Sequence, residues 1–342
     1  MVTQRQVAER AGVSARTVSN VVNGFAWVAA DTRHRVQAAI EELGYRPNLL
    51  ARGLQRGRSG LIALVLPLDG PYFVELAGHV VTAAEERGYT VLIDRTDGDA
   101  RRERDLVSRA DRASLFDGII FSPLGLSDAE LRLPVGSPIV LLGEKSSGPA
   151  HDRVVVDDVA ASHAMTTHLL ESGRTRIAAI GQPPRPAGRT GQHRTLGYRR
   201  ALAAAGMSYD PDLVLPIDAF QRADGAAAVD RLLQRQGTPP DALLAYNDAL
   251  ALGAMYAIRR HGLRVPTDIA VSGFDDIEEG RFVTPTLTTI APDKQQVARE
   301  AVDLVVRRIE GYDGPPTIRR AEWRLIPRES TATPTADAAP TH

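Results

Sequence analysis

The fold of the N-terminal part is decided by one stretch, residues 2–23, which reads VTQRQVAERAGVSARTVSNVVN. Gly12 separates two apolar patterns of helical spacing, and Ser14 is placed to cap the second helix. The apolar positions are Val7, Ala8, Ala11, Val18, Val21 and Val22. Two short helices that share a small core across a glycine turn are typical of a helix-turn-helix. The stretch therefore predicts DNA binding, with an ordinary helical hairpin as the alternative.

The second helix carries the residues expected to read DNA. In a helix-turn-helix this helix enters the major groove with its N-terminal end first, which turns Ala15, Arg16, Ser19 and Asn20 outward. Arginine pairs bidentately with guanine and asparagine with adenine, so Arg16 and Asn20 are the predicted base-reading residues. Hydroxyl and amide side chains suit phosphate oxygens. The predicted phosphate contacts are Thr3, Thr17, Ser19 and Asn23.

Charge is distributed unevenly along the chain. Residues 1–58 contain nine Arg, no Lys and four Asp or Glu, a net charge of +5, although the whole chain has a formal net charge of −1. The remaining residues hold 32 basic and 38 acidic side chains, which gives −6. A basic end on an acidic body is typical of a phosphate-binding module, whereas a solvated basic helix face is the alternative for charge alone.

A third helix and a basic segment follow the first two helices. The helix is predicted from about residue 31 to residue 43, where Gly44 ends it, and it completes a three-helix core. Residues 45–60 then read YRPNLLARGLQRGRSG. Isolated helices shorter than about 12–15 residues are marginal in water, so this segment is expected to fold only together with something else.

An ordered set of residues spans the first fifty-odd positions. It comprises Val7-Ala8, Ala11-Gly12-Val13-Ser14, Thr17-Val18-Ser19, Val21-Val22-Asn23, Thr32-Arg33, Leu43-Gly44-Tyr45, Pro47-Asn48, Ala51 and Leu54. The set closely resembles the lactose/galactose repressor family of bacterial transcription regulators. The resemblance implies a headpiece in the major groove and a hinge helix that orders on operator DNA, with Leu54 wedged into a minor-groove step. The further DNA contacts expected on this basis are Thr32, Arg33, Tyr45, Asn48, Ala51, Arg52 and Leu54.

Two positions depart from the family pattern. Family members usually carry Ser at the start of the third helix, where this chain has Ala29, so Asp31 is expected to cap a later start. Asn20 stands where several relatives have Arg, and the pair Ala15-Arg16 is a combination of its own. The operator sequence therefore cannot be copied from a relative.

Residues 60 to about 330 alternate apolar runs with helical stretches. The predicted strands are 61–66, 90–94, 118–122, 139–143, 153–156, 177–181, 242–246 and 269–274, and the predicted helices include 73–88, 158–172, 193–205, 224–235, 249–261 and 295–310. This alternation predicts an α/β core with parallel, doubly wound sheets covered on both faces. Because about 270 residues is large for one such sheet, we expect two lobes with a ligand cleft at the strand ends.

The resemblance extends through this body, which looks like the family's effector-binding core and is similar to periplasmic sugar-binding proteins. It is carried by Val155–Asp158, Asn247-Asp248, Val265–Asp276, Pro285–Ile290 and Arg328–Ser330. It implies three crossings between lobe one, about 60–157 and 290–321, and lobe two, about 158–289 and 322–330. The predicted domains are a headpiece at 1–46, a hinge helix and linker at 47–59, an effector-binding core at 60–330 and a disordered tail at 331–342.

The family pattern also implies an effector site. Arg194, Asn247 and Asp275 fall where relatives hydrogen-bond the hydroxyl groups of the effector, and a carboxylate, an amide and a guanidinium suit a sugar. A role in capping helices or tying loops is an equal alternative for Asp275 and Asn247, whereas Arg194 has no apparent local partner. The other expected effector contacts are the aromatic residues Tyr72, Phe73 and Phe220, and, on the first-lobe side, Pro67, Gly143 and Glu144.

Several functional classes lack their sequence signals. The chain has no GxxxxGK phosphate loop, no HExxH metal pair and no GxSxG nucleophile elbow, so neither catalysis, nor a cofactor, nor a metal site is expected. With zero Cys, disulfides are excluded. The absence of an export-type apolar stretch and of any run of about 18 apolar residues predicts a cytoplasmic, nucleoid-associated protein without membrane contact.

These observations predict a homodimeric transcriptional repressor that binds double-stranded operator DNA. A small-molecule effector, by expectation a mono- or oligosaccharide, changes its operator affinity. One alternative keeps the fold but makes the effector a nucleoside or purine corepressor. A second alternative is a sugar-binding receptor with an adventitious basic arm, and an enzyme comes last.

Overall fold

The computed structural model describes residues 2–22, 25, 27–45, 58–68, 70–108, 115–127, 129–132, 136–143, 150–182 and 189–332. The chain divides at Gly60 into a headpiece and a core, and each is a compact unit. Several predictions fall outside the described residues. They are the DNA contacts Asn23, Asn48, Ala51, Arg52 and Leu54, the effector contact Glu144, the hinge helix, and the tail from residue 333.

The headpiece contains the three predicted helices, α1 (Gln4–Ala11), α2 (Ala15–Val22) and α3 (Ala30–Leu43). Thr3 and Gln6 form a reciprocal capping box at the start of α1. Gly12 ends that helix with φ = 65°, a conformation that glycine adopts without the steric cost of a Cβ atom. The Ser14 hydroxyl accepts a hydrogen bond from the Thr17 backbone N–H at 3.1 Å, which confirms the predicted cap of α2.

A small apolar core joins these helices. One valine from each helix is completely buried: Val7, Val18 and Val36. The predicted cap at Asp31 is wrong, because α3 begins one residue earlier, at Ala30, and its N-cap residue Ala29 makes no side-chain hydrogen bond. Asp31 lies in the first turn instead and forms an ion pair with Arg35 at 3.4 Å.

Lobe one of the core is a six-stranded parallel sheet. Its strands are β1 (Leu61–Leu66), β2 (Thr90–Arg95), β3 (Gly118–Phe121), β4 (Ile139–Leu142), β5 (Asp152–Val156) and β11 (Ile318–Ala321), in the order β11-β5-β4-β3-β1-β2. Helices α4 (Pro71–Glu86) and α10 (Lys294–Ile309) cover one face, and α5 (Ala100–Ser108) lies between β2 and β3 in the chain. The inner strands β1, β3 and β4 are apolar and almost completely buried, as expected for a parallel sheet covered on both sides.

Lobe two is a second six-stranded sheet with the order β12-β10-β9-β8-β6-β7. Its strands are β6 (Ile177–Gln182), β7 (Val214–Pro216), β8 (Ala242–Ala245), β9 (Ala270–Phe274), β10 (Thr288–Pro292) and β12 (Trp323–Ile326). Its helices are α6 (Asp158–Glu171), α7 (Thr190–Ala204), α8 (Arg222–Leu233) and α9 (Asp248–Arg260). The sheet departs from the expected parallel pattern at one edge, where β12 runs antiparallel to β10.

The chain passes between the lobes three times, after β5, β10 and β11. The second passage comes after Pro292, so the predicted lobe boundary at residue 290 falls inside strand β10. In the second lobe-two segment, which follows the third passage, Thr331 is buried and hydrogen-bonds His168 and Thr288, each at 2.8 Å. Thr331 therefore belongs to the folded core and not to the predicted tail. Over the described ranges, none of the helices combines the length and apolar character needed to cross a membrane.

Candidate functional site

A cleft of about 360 Å³ lies between the two lobes of the core. Its walls come from the carboxyl ends of the strands and the loops that follow them, which is where open α/β sheets place their ligands. Lobe one contributes Tyr72, Phe73, Ser122 and Gly143, among others. The volume falls within the range of about 300–1,000 Å³ that is typical of small-molecule sites.

Aromatic rings reach the cleft from both lobes. Tyr72 and Phe73 lie in the first turn of α4 and pack edge to face, with ring centroids 5.2 Å apart. Phe220 and Phe274 approach from lobe two. Burial raises the pKa of the Tyr72 phenol above its ordinary value, so this group remains a hydrogen-bond donor at neutral pH.

Arg194 is held by lobe-two partners that the sequence does not reveal. Its Nε donates to the Asp158 carboxylate at 2.8 Å, and its Nη1 donates to the carbonyl of Tyr246. The guanidinium carbon lies 3.4 Å from the ring centroid of Phe274. The sequence shows no local partner for Arg194, and its observed partner Asp158 precedes it by 36 residues and meets it only in the folded lobe.

Asn247 serves the fold as well as the cleft. Its side-chain oxygen accepts a hydrogen bond from the Leu250 N–H at 2.8 Å and so caps α9. Its side-chain nitrogen donates to the Phe220 carbonyl at 3.0 Å. The capping alternative is thus observed, and the same amide fixes the loop that brings Phe220 to the cleft.

Asp275 follows β9 and presents a buried carboxyl to the cleft. Burial raises its pKa to about 7, and the positive charges of Arg194 and Lys294 limit that rise. Close by, Asp248 accepts hydrogen bonds from the Thr289 hydroxyl at 2.6 Å and the Ile277 N–H at 2.9 Å. Burial, followed by the charge of Asp275, raises the pKa of Asp248 well above its ordinary value. Of these two carboxyl groups that resist ionisation, Asp275 lines the cleft and Asp248 lies behind it in the core.

The structure brings together most of the predicted effector contacts. The residues that line the cleft are Tyr72, Phe73, Gly143, Arg194, Phe220, Asn247 and Asp275. Pro67 is buried and does not line it. Four further residues line the cleft and were not predicted from the sequence: Asp97, Asp158, Arg189 and Asp218. Asp158 lies two residues after the last residue of β5, Val156. Its position at a strand end was a signal that could have identified it from the sequence.

The predicted DNA-contacting residues lie on and around α2 of the headpiece. Ala15 and Arg16 are exposed, whereas Thr17, Ser19, Asn20, Thr32, Arg33 and Tyr45 are half-buried. Arg33 donates to the Phe25 carbonyl at 2.9 Å, and Tyr45 packs against the apolar core. Trp27 is 71% exposed, with its ring 5.9 Å from that of Phe25, an aromatic pair that the sequence analysis did not single out.

Two family models match the chain, one in each unit. Residues 3–48 match the bacterial regulatory proteins of the lacI family, and residues 166–331 match a periplasmic binding protein-like domain. Over 336 residues the chain is 33% identical to the HTH-type transcriptional repressor PurR of Aliivibrio fischeri (strain MJ11), which covers 96% of this chain and 98% of the relative. The chain belongs to the LacI family.

Two solved structures are similar over nearly the whole chain. The transcriptional regulator CelR in complex with cellobiose is 33% identical, with a TM-score of 0.70, and covers 96% of this chain and all of that one. The lac repressor dimer bound to operator and the anti-inducer ONPF is 28% identical, with a TM-score of 0.81, and covers 96% of this chain and 99% of that one. As a LacI-family member, the chain is a DNA-binding transcriptional repressor with a two-lobed core similar to periplasmic binding proteins.

Proposed function

We propose that this repressor binds operator DNA through α2 and that a small molecule in the cleft between the lobes changes its DNA affinity. The observation that carries the proposal is the cleft itself, where aromatic rings from both lobes surround a few buried polar groups. A ligand regulates DNA binding only if it binds two states of the protein with different affinity. A cleft between two lobes can bind a ligand with different affinity in two states, because the shape of the cleft depends on the angle between the lobes.

A neutral sugar is the first candidate for the effector. The carboxyl groups of Asp218 and Asp275 and the amide of Asn247 offer hydrogen-bond partners, and a sugar hydroxyl both donates and accepts. Phe220 and Tyr72 provide flat apolar surfaces for the face of a sugar ring. The similarity to a regulator solved with cellobiose supports this class of ligand.

A purine or nucleoside is the second candidate, and the same aromatic residues support it through their placement on both lobes. Tyr72 and Phe73 approach from lobe one and Phe220 from lobe two, so a flat base has aromatic neighbours on both sides. The similarity to a repressor named PurR supports this class as well. In this version the ligand acts as a corepressor and tightens operator binding.

In the headpiece, we propose that Arg16 and Asn20 read base edges. Arg16 is exposed near the start of α2, the end of the helix that enters the groove first. Thr3, Thr17, Ser19, Thr32 and Arg33 are the proposed contacts to the DNA backbone among the described residues.

We propose that the protein is a homodimer. Two edges of the core expose large apolar side chains that a monomer would leave in water: Val74, Leu92 and Ile93 in lobe one, and Tyr256 and Phe282 in lobe two. A lac repressor dimer is among the similar structures. A two-fold dimer presents two headpieces and suits a pseudo-palindromic operator.

The test is binding of the purified full-length protein to labelled DNA from upstream of its own gene. We would measure it at two salt concentrations and then with a panel of sugars and nucleosides. Release by one sugar supports the sugar inducer, and tightening by one nucleoside supports the corepressor. Asp275→Ala should weaken the response to the active compound without changing DNA affinity in its absence.

Two results would count against the proposal. DNA affinity that is insensitive to both salt and sequence would contradict operator recognition, because phosphate contacts make such binding salt-dependent. Retention of the biological effect after deletion of residues 1–58 would favour the receptor alternative.

A further inference from the structure

A lysine from lobe one holds the turn that carries Asp275. Lys294 is one of only two lysines in the chain and is the first residue of α10. Its ammonium group donates to the carbonyl oxygens of Asp275 at 2.9 Å and Asp276 at 3.0 Å. Both aspartates have positive φ angles, 117° and 48°, in a region that residues with a Cβ atom rarely adopt. The ammonium therefore stabilises a turn whose own residues disfavour it.

The same ammonium group forms an ion pair with Glu75 of α4. Glu75 also accepts a hydrogen bond from the backbone N–H of Glu278 at 3.3 Å. Lys294 and Glu75 belong to lobe one, whereas Asp275, Asp276 and Glu278 belong to lobe two. The Lys294 side chain is only 12% exposed and that of Glu75 32%, so the ammonium group at the centre of this link between the lobes is buried.

Lysine suits this position for a chemical reason. An ammonium group offers three donors at a single point, and here three acceptors surround it: two backbone carbonyls and one carboxylate. A guanidinium spreads its donors over a plane and requires acceptors arranged along a fork. The geometry therefore selects lysine specifically and not positive charge in general.

We propose that Lys294 is a positioning residue that fixes the angle between the two lobes, with Glu75 as its counter-ion, and thereby links the effector cleft to the shape of the core. The inference rests on the proposed function in one respect, since Asp275 must face the effector. An effector that forms hydrogen bonds with the Asp275 carboxyl moves the backbone carbonyl groups to which the Lys294 ammonium donates. That displacement reaches α4 and α10, and so lobe one, through the ion pair.

The experiment measures the distance between the lobes and needs no effector. Because the chain has no cysteine, Asp105→Cys on α5 and Arg200→Cys on α7 create a unique pair of spin-label sites, both exposed, one in each lobe. Double electron–electron resonance on the full-length protein, diluted with unlabelled protein, gives the distance distribution within one subunit. Lys294→Met should shift and broaden this distribution, and Glu75→Gln should do so in the same direction but less.

Two further variants separate positioning from general stabilisation. Arg87, the residue directly after α4, pairs with Asp303 of α10, so this ion pair lies within lobe one only. Arg87→Met should therefore leave the distribution unchanged. Lys294→Arg keeps the positive charge and should nevertheless resemble Lys294→Met. Amide hydrogen exchange at residues 275–278 should become faster in Lys294→Met and remain as in the wild type in Arg87→Met.

The outcomes are distinct. A wild-type distribution in both Lys294→Met and Glu75→Gln overturns the inference, as does full rescue by Lys294→Arg. A shifted distribution in these two variants, with Arg87→Met unchanged, supports it even if no sugar or nucleoside affects DNA binding. If no compound affects DNA binding, the proposed effector function fails, but the role of Lys294 in positioning the lobes stands.

Discussion

The guanidinium carbon of Arg194 lies 3.4 Å from the ring centroid of Phe274, so the charged group is covered by an aromatic ring inside lobe two. Its counter-ion Asp158 is buried as well. A buried ion pair contributes little net stability compared with an apolar replacement, but the loss of one partner leaves an unpaired charge away from water. The pair thus gives the cleft a polar surface. Each of the two buried side chains requires the other as its counter-ion.

The first prediction concerns this pair. Arg194→Met should reduce the free energy of unfolding by about 3–5 kcal/mol, because the buried Asp158 carboxylate loses its ion pair with Arg194. The double variant with Asp158→Asn should lose less than the sum of the two single losses. Urea unfolding followed by circular dichroism measures all three. As a control, Arg222→Met breaks the exposed pair with Glu279 and should cost less than about 1 kcal/mol.

The second prediction concerns the pH dependence of stability. The pKa of Asp275 is about 7 in the folded protein and about 3.9 in an unfolded chain. Since the folded state binds the proton more tightly, this group's contribution is fully present below about pH 4 and is lost as the pH rises to about 7. Asp275→Asn cannot ionise, so its stability should fall less steeply over this range.

The difference in slope can reach at most about 1.4 kcal/mol per pH unit for one proton. Urea unfolding of both proteins across this range gives the two slopes. Parallel slopes would mean that Asp275 ionises in the folded protein as it does in water.

The third prediction concerns DNA recognition. Arg16→Ala should weaken binding to the upstream DNA by about 1–3 kcal/mol, the range for a bidentate base contact. Binding to DNA of scrambled sequence should change much less. Arg10→Ala removes the same charge from an exposed ion pair with Glu42 and should affect both DNAs alike. Fluorescence anisotropy titrations measure the six affinities of the wild type and the two variants, and an equal loss on both DNAs for Arg16→Ala would assign this residue to the phosphates.

The fourth prediction contrasts two glycines within helices. A Cβ atom at Gly253 of α9 would lie 1.9 Å from the carbonyl oxygen of Arg222, whereas one at Gly78 of α4 would meet nothing within 4 Å. Gly253→Ala should therefore destabilise the core by about 1–3 kcal/mol or more, because α8 and α9 must move apart. Gly78→Ala should stabilise it by about 0.5–1 kcal/mol, since alanine favours the helix. Thermal unfolding of the two variants decides the sign of each effect.

Local patterns predicted much of the architecture. The first strand has the predicted bounds, and the other predicted strands differ by a residue or so at either end, because apolar β-branched runs mark strands buried on both faces. Helix α5 and strands β7, β10, β11 and β12 were not predicted. Strand β11 reads IRRA and is mostly exposed, so it carries no apolar pattern.

The amino-acid sequence by itself determined the three-helix headpiece, the alternation of strands and helices, and the family to which the chain is similar, because periodicity, capping residues and motif spacing are local properties. Only the tertiary structure decided which groups meet in the cleft. Asp158 and Arg194, or Glu75 and Lys294, are separated by 36 and 219 residues and come together through the order of strands and the passages between lobes. Burial and charge at Asp275 depend on the same assembly, since the pKa of a carboxyl group is set by its neighbours in space and not by its neighbours in the chain.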